Sequence, residues 1–122
     1  MIKQLLLVGL GGGLGSIFRY LTSLATPKFD GHAFPVATFL TNILGCLLIG
    51  FLAGYFAKTG ENQSLKLLFV TGFCGGYTTF STFSAENIML LQHQNYGILI
   101  GYTFSSIVFG FAAVAIGLTV MK

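Results

Sequence analysis

Charge is what this sequence has least of: only 7% of its 122 residues are Asp, Glu, Lys or Arg, against about a quarter in ordinary soluble domains. With 54% hydrophobic residues and a mean hydropathy of +0.84, the chain reads as an integral membrane protein. At about 20 apolar residues per span it holds about four helices, and no soluble domain fits beside them. Acid is scarcer still. Asp30, Glu61 and Glu86 are the whole set, so paired carboxylates for acid–base work are missing. No nucleophile–base set or metal motif replaces them, and an enzyme has nothing to stand on. Cys46 and Cys74 sit in separate apolar runs and form no CxxC pair, so they read as buried reduced thiols and not as a disulfide or metal site. His32 and His93 match no zinc spacing and read as loop or interfacial residues. The formal charge of +3 comes from scattered Lys and Arg without a basic stripe, which argues against nucleic acid as a partner.

What is there is apolar sequence punctuated by glycine. Four stretches are expected to span a membrane, over residues 2–25, 34–57, 67–93 and 96–121. In the first, Gly9/Gly13 and Gly11/Gly15 recur at i, i+4, so two faces can approach a neighbouring backbone closely. Gly50/Gly54, Gly97/Gly101 and Ser106/Gly110 repeat the theme. This glycine run is no phosphate cradle, because Gly9-x-Gly11 is followed by Leu14 and no βαβ pattern surrounds it. Ser23-Leu24-Ala25 resembles a signal-peptide cleavage site, but Arg19 interrupts the apolar run and the positive leader is thin, so the segment is read as a retained span. Pro27 and residues 28–31 mark the first loop, Pro35 suits the first turn of the second span, and residues 58–66 form the second loop. Four spans put both termini on one side, with Lys3, Lys58, Lys66 and Lys122 against Lys28 and Arg19. So small an imbalance favours termini inside only slightly and leaves insertion in both orientations open.

Polar residues within the spans are few enough to single out. Gly72-Phe-Cys-Gly-Gly-Tyr-Thr-Thr-Phe-Ser-Thr-Phe-Ser84 interrupts the third span. Gly75-Gly76 frees the backbone and Thr78-Thr79 offers hydrogen bonds that compete with helix, so the third helix is expected to break at Gly75-Gly76. At membrane depth, backbone groups released by a break must be buried by protein, line a cavity or bind an ion. Asn42, an amide inside the second span, needs a partner on another helix or in a pore. Phe80 and Phe83, spaced i, i+3, share a helix face, with Ser81, Thr82 and Ser84 interleaved. An aromatic ring's edge is the positive part of its quadrupole. Edges beside neutral hydroxyl donors can solvate a small anion without the deep trap of a buried lysine, the balance that conduction needs. Glu86, on the same helix, faces either a vestibule or an interface. Arg19 either snorkels to headgroups or lends positive potential to an aqueous mouth.

Three stretches together, Gly12-Gly-Leu-Gly-Ser-Ile-Phe-Arg-Tyr20, Thr38-Phe-Leu-Thr-Asn-Ile-Leu-Gly45 and Gly72-Phe-Cys-Gly-Gly-Tyr-Thr-Thr-Phe-Ser-Thr-Phe83, resemble the small fluoride channels called CrcB or Fluc. The likeness covers nearly the whole chain. Ser16 stands where the family often has Ala, and Ala37 where Gly often precedes the threonine; both are small for small. The resemblance implies an all-α integral membrane protein, with residues 1–122 forming a single four-helix transmembrane channel domain. It implies an antiparallel, dual-topology homodimer with two fluoride pores, and a sodium ion held at the dimer centre by the backbone carbonyls of Gly75 and Thr78 from both subunits. That sodium would be structural and not transported. By the same resemblance Phe80 and Phe83 line the pores with ring edges, and Asn42 donates a hydrogen bond near them. Ser81 and Thr82 continue a polar track, and Tyr102 and Ser106 contribute from the fourth span. Arg19 falls by an aqueous vestibule and Glu86 at the pore's exit. The implied task is passive fluoride efflux across the cytoplasmic (inner) membrane of microbes: acid carries hydrogen fluoride in, the ion is trapped at neutral pH, and a selective leak releases it.

Two other readings share parts of this pattern. A small multidrug exporter is also a four-span, dual-topology protein, but it needs a membrane-embedded carboxylate for proton coupling and the first span has none. A protein that only packs helices would explain the glycines, but not Asn42 together with the run of hydroxyls and phenylalanines.

Overall fold

Glycine stripes decide which helices meet. The structure, a computed structural model, describes residues 1–121. Its helices are α1 (Ile2–Leu24), α2 (Val36–Thr59), α3 (Gln63–Lys66), α4 (Gly75–Tyr77), α5 (Phe80–Gln92) and α6 (Tyr96–Val120), and a π-helix, Leu67–Cys74, joins α3 to α4 without interruption. No strand occurs among the described residues. α1 lies along residues 67–77, α2 lies along α6, and α5 leans on α6.

In the first pair, a side chain on Gly11 would strike the Leu68 carbonyl and one on Gly15 the Phe73 carbonyl. Gly72 and Gly76 answer from the facing helix, where a side chain would run into the backbone of Gly11 and Gly12. In the second pair Gly50 and Gly117 bring α2 and α6 backbone to backbone. Such close approach is how helices associate where lipid supplies no hydrophobic drive between them. Gly9, Gly13, Gly97 and Gly101 meet nothing within 4 Å, so only one of the two expected α1 stripes is used within the chain.

Burial is inverted relative to a water-soluble protein. The buried apolar side chains are Phe56, Cys74, Tyr77, Leu90, Tyr102 and Ala113, while Leu6, Leu10, Phe104 and Phe111 lie exposed on α1 and α6. α1, α2 and α6 are each long and apolar enough to cross a membrane. The chain is a multi-pass membrane protein. Both cysteines are free thiols, and the His32 and His93 rings stack, 4.5 Å between centroids, where the α1–α2 loop meets the α5–α6 turn.

One expectation requires correction. The helix does not break at Gly75-Gly76: Gly75 is helical, with φ −62° and ψ −35°, and α4 carries the helix on to Tyr77. It opens at Thr78 (φ −85°, ψ 157°) and Thr79 (φ −152°, ψ 119°). These are extended angles that need no glycine and suit β-branched residues. The threonine hydroxyls then secure both ends. Thr78 Oγ1 donates back to the Cys74 carbonyl at 2.8 Å, and Thr79 Oγ1 caps α5 by accepting from the Thr82 N–H at 3.2 Å. Gly76 serves contact with α1, not flexibility.

Candidate functional site

A break inside an apolar segment strands backbone polar groups, and Asn42 supplies what Thr79 loses. Its Oδ1 accepts from the Thr79 N–H at 2.8 Å, and its Nδ2 donates to the Thr79 carbonyl at 3.2 Å. The side-chain amide thus takes the place of two missing helix bonds. From α1, Arg19 Nε donates to the Gly76 carbonyl at 3.1 Å. The Cys74 carbonyl is taken by Thr78. Three oxygens remain over: no hydrogen bond among the described residues reaches the carbonyl of Gly75, Tyr77 or Thr78.

The chain is hollow on either side of Thr79. One side is a groove of 420 Å³ whose walls include Asn42, Cys46, Thr78, Phe80, Phe83 and Ser106. The other is a wider cavity of 780 Å³ walled by Arg19, Lys28, Thr38, Thr41, Thr82 and Glu86 among others. Thr79 alone lines both. The groove is mostly apolar, yet two residues in its walls carry unspent donors. Ser106 Oγ is buried with no partner, and the second N–H of Asn42 Nδ2 is not needed by Thr79. No carboxylate lines the groove, so its chemistry suits an anion that accepts hydrogen bonds and sets no negative charge against it.

The rings are held unequally. Phe80 and Phe83 lie 5.9 Å apart between centroids. Phe83 is braced at 5.0 Å by Tyr102, which meets Phe34 at 5.2 Å edge to face. Phe80 has no such brace and is 78% exposed within one chain. Glu86 accepts hydrogen bonds from Thr38 Oγ1 and from the Tyr102 hydroxyl, each at 2.8 Å. The one ion pair among the described residues is Lys66–Glu61, so Arg19 and Glu86 share a cavity without pairing.

Of the residues singled out in the sequence, Asn42, Thr78, Phe80, Phe83 and Ser106 come together at the groove, and Arg19, Thr82 and Glu86 at the wider cavity. Tyr102 is fully buried and lines neither; it touches the site through Glu86 and Phe83. Ser81 is exposed, lines neither, and shares a hydrogen bond with Thr79 Oγ1 at 3.2 Å. Gly75 is exposed on the outer face of α4. Thr38, Thr41 and Lys28 escaped the reading of the sequence, and Thr79 was read there only as a helix breaker. Thr38 was within reach, since it stands i, i+4 from Asn42 and so shares its helix face; Lys28 carried no signal beyond that of a loop lysine.

Residues 6–118 match the family described as CrcB-like protein, Camphor Resistance (CrcB). Among the proteins similar to this chain is the fluoride-specific ion channel FluC of Flavobacterium psychrophilum, 48% identical over 122 residues, which spans 99% of this chain and 98% of the relative. That of Azobacteroides pseudotrichonymphae is 45% identical over 118 residues, covering 96% and 94%. That of Gloeothece citriformis is 43% identical over 119 residues, covering 98% and 97%.

Proposed function

The chain belongs to the CrcB-like family, and from that premise we propose that it is a fluoride-selective ion channel that lets fluoride leave the cell passively. The observation that carries this reading is the groove beside the break. Its walls hold two residues with unspent neutral donors, Asn42 at Nδ2 and Ser106 at its buried Oγ, beside Phe80 and Phe83 and with no carboxylate. Fluoride is small, strongly hydrated and a strong hydrogen-bond acceptor. A narrow row of fixed donors and positive ring edges replaces its first water shell, whereas chloride is larger and accepts weaker bonds. In this reading the ion passes from the wider cavity past Thr79 and Thr82 into the groove.

The finer assembly follows as part of the same proposal. The 63–92 segment is the third of four crossings, interrupted at Thr78-Thr79. A second copy, inserted antiparallel, covers Gly75, Phe80 and the unused Gly9/Gly13 stripe, and the homodimer carries two pores through the inner membrane. The unbonded carbonyls of Gly75 and Thr78 fit a hard cation, which prefers oxygen ligands. They are the residues that would hold sodium, whose charge would neutralise those oxygens and tie the two breaks together. Sodium is structural in this scheme and fluoride alone is transported.

Thr78→Ala follows directly. The hydroxyl is a second donor to a Cys74 carbonyl that keeps its bond from the Thr78 N–H, so the expected loss is about 1 kcal/mol. Thermal unfolding in detergent should fall slightly and stay sodium-dependent, because the carbonyl survives the substitution. Dimers that no longer assemble would shift the role to the hydroxyl. The function itself is tested by growth. In a bacterial strain stripped of its own fluoride export, the protein should restore growth in acidic fluoride medium that stops the parent. A strain as sensitive as the empty-vector control, with protein present in its membrane, would overturn the channel reading.

A further inference from the structure

Lys28 stands over the wider cavity on a loop that is fastened at both ends. Thr26 Oγ1 donates to the Thr22 carbonyl at 3.0 Å, so the loop leaves α1 under restraint. Asn95 Nδ2, from the α5–α6 turn, donates to the Gly31 carbonyl at 2.6 Å, and the stacked His32 and His93 rings close the same joint. The lysine between these ties forms part of the cavity wall.

The other charged side chains of that cavity are tethered by hydrogen bonds. Arg19 gives its Nε to the Gly76 carbonyl, and the carboxylate of Glu86 is held by Thr38 and Tyr102. Lys28 forms no ion pair among the described residues and is exposed. It is the exposed, untethered positive charge of this mouth, beside a half-buried Arg19 that also has no acid partner among the described residues.

We propose that Lys28 is the electrostatic collector of the channel: it draws anions into the vestibule and sets how fast fluoride enters, without contributing to selectivity. The proposal rests on the fluoride-channel reading. A cleft with low-dielectric walls focuses the field of such a charge and raises the local concentration of its counter-ion. An exposed ammonium is also open to screening, with a Debye length of about 30 Å at 0.01 M salt and about 3 Å at 1 M. A collector therefore has a signature that a packing role lacks, namely dependence on ionic strength. The competing role, snorkelling to lipid headgroups, leaves fluoride entrance unchanged.

The test is fluoride efflux from liposomes holding the full-length protein, at about 0.01 M and about 1 M ionic strength, for the wild type, Lys28→Gln, Lys28→Glu and Lys28→Arg. At low ionic strength Lys28→Gln should lose about threefold and Lys28→Glu about tenfold, as befits one unit charge removed or reversed at close range. Lys28→Arg should match the wild type. All four should converge at high ionic strength, with the fluoride-to-chloride ratio unaltered. Equal rates for the wild type and Lys28→Gln at low ionic strength would overturn the proposal, as would a deficit that persists undiminished at high salt. A wild type that passes no fluoride would take down the channel reading and the proposal together.

Discussion

Replacing Asn42 with alanine is expected to cut fluoride flux by at least about a hundredfold and to lower the thermal stability of the purified protein. The loss is one of backbone bonding. Asn42 meets both polar groups of Thr79, the N–H at 2.8 Å and the carbonyl at 3.2 Å, and alanine meets neither. Each orphaned buried group costs about 1–3 kcal/mol in a protein interior, and more in hydrocarbon, where no water replaces the partner. The sum is about 2–6 kcal/mol, and about 2.8 kcal/mol already shifts an equilibrium a hundredfold. The groove also loses the second Nδ2 hydrogen. Asn42→Asp separates the two effects. An aspartate keeps the acceptor for the Thr79 N–H, so stability should partly return. It gives up the donor and brings a carboxylate to an anion groove, so flux should not. Melting in detergent and flux in liposomes would be read on the same preparations. An alanine variant that melts and conducts like the wild type would end the stitching role.

Phe80→Ile and Phe83→Ile should each reduce fluoride flux by about two orders of magnitude and leave the proposed dimer assembled. Isoleucine keeps apolar bulk but has no quadrupole, so the positive ring edge proposed to face the anion disappears. A contact worth about 1.4 kcal/mol changes a rate tenfold, and an anion stripped of water in an apolar groove depends on each contact more than one in solution does. The two variants should differ in stability. Phe83 is braced by Tyr102 at 5.0 Å, and removing its ring unsupports Tyr102, which in turn holds Glu86. Phe80 touches Phe83 and is otherwise 78% exposed within one chain, so its loss should spare the fold of the subunit. Dimer content would be read by size-exclusion chromatography and flux by electrode. Unchanged flux in both variants would remove the ring edges from the mechanism.

Much of this site was legible because membrane sequence is chemically poor. Against an apolar background Asn42, Arg19 and Glu86 stand out singly, and the phenylalanine spacing places Phe80 and Phe83 on one face without any structure. The location of the break was not legible. Gly75-Gly76 and Thr78-Thr79 lie side by side, and sequence offers two mechanisms, conformational freedom and competing hydroxyls, with no means of ranking them. Packing decides: α1 comes so close that Gly76 has no room for a side chain, which leaves the threonines to open the helix. The same limit applies to the glycine stripes. Gly9/Gly13 and Gly11/Gly15 are equivalent as patterns, and only the facing helix distinguishes the stripe used within the chain. Asn42 was expected to need a partner, but its partner is the backbone of Thr79, a contact across 37 positions of chain that local spacing cannot reveal. Tyr102 looked like a polar position on the fourth span; it is buried, with its hydroxyl on Glu86 and its ring against Phe83.

The measurement that bears most directly on all of this is efflux from liposomes reconstituted with the wild-type protein, loaded with fluoride and chloride together and followed with an electrode for each ion. Collapse of the membrane potential with a potassium ionophore should trigger rapid fluoride release while chloride stays inside, since in the proposed path neutral donors and ring edges favour the stronger hydrogen-bond acceptor. Release of both anions at similar rates, or of neither from verified dimers, would contradict a fluoride-selective path beside Thr79.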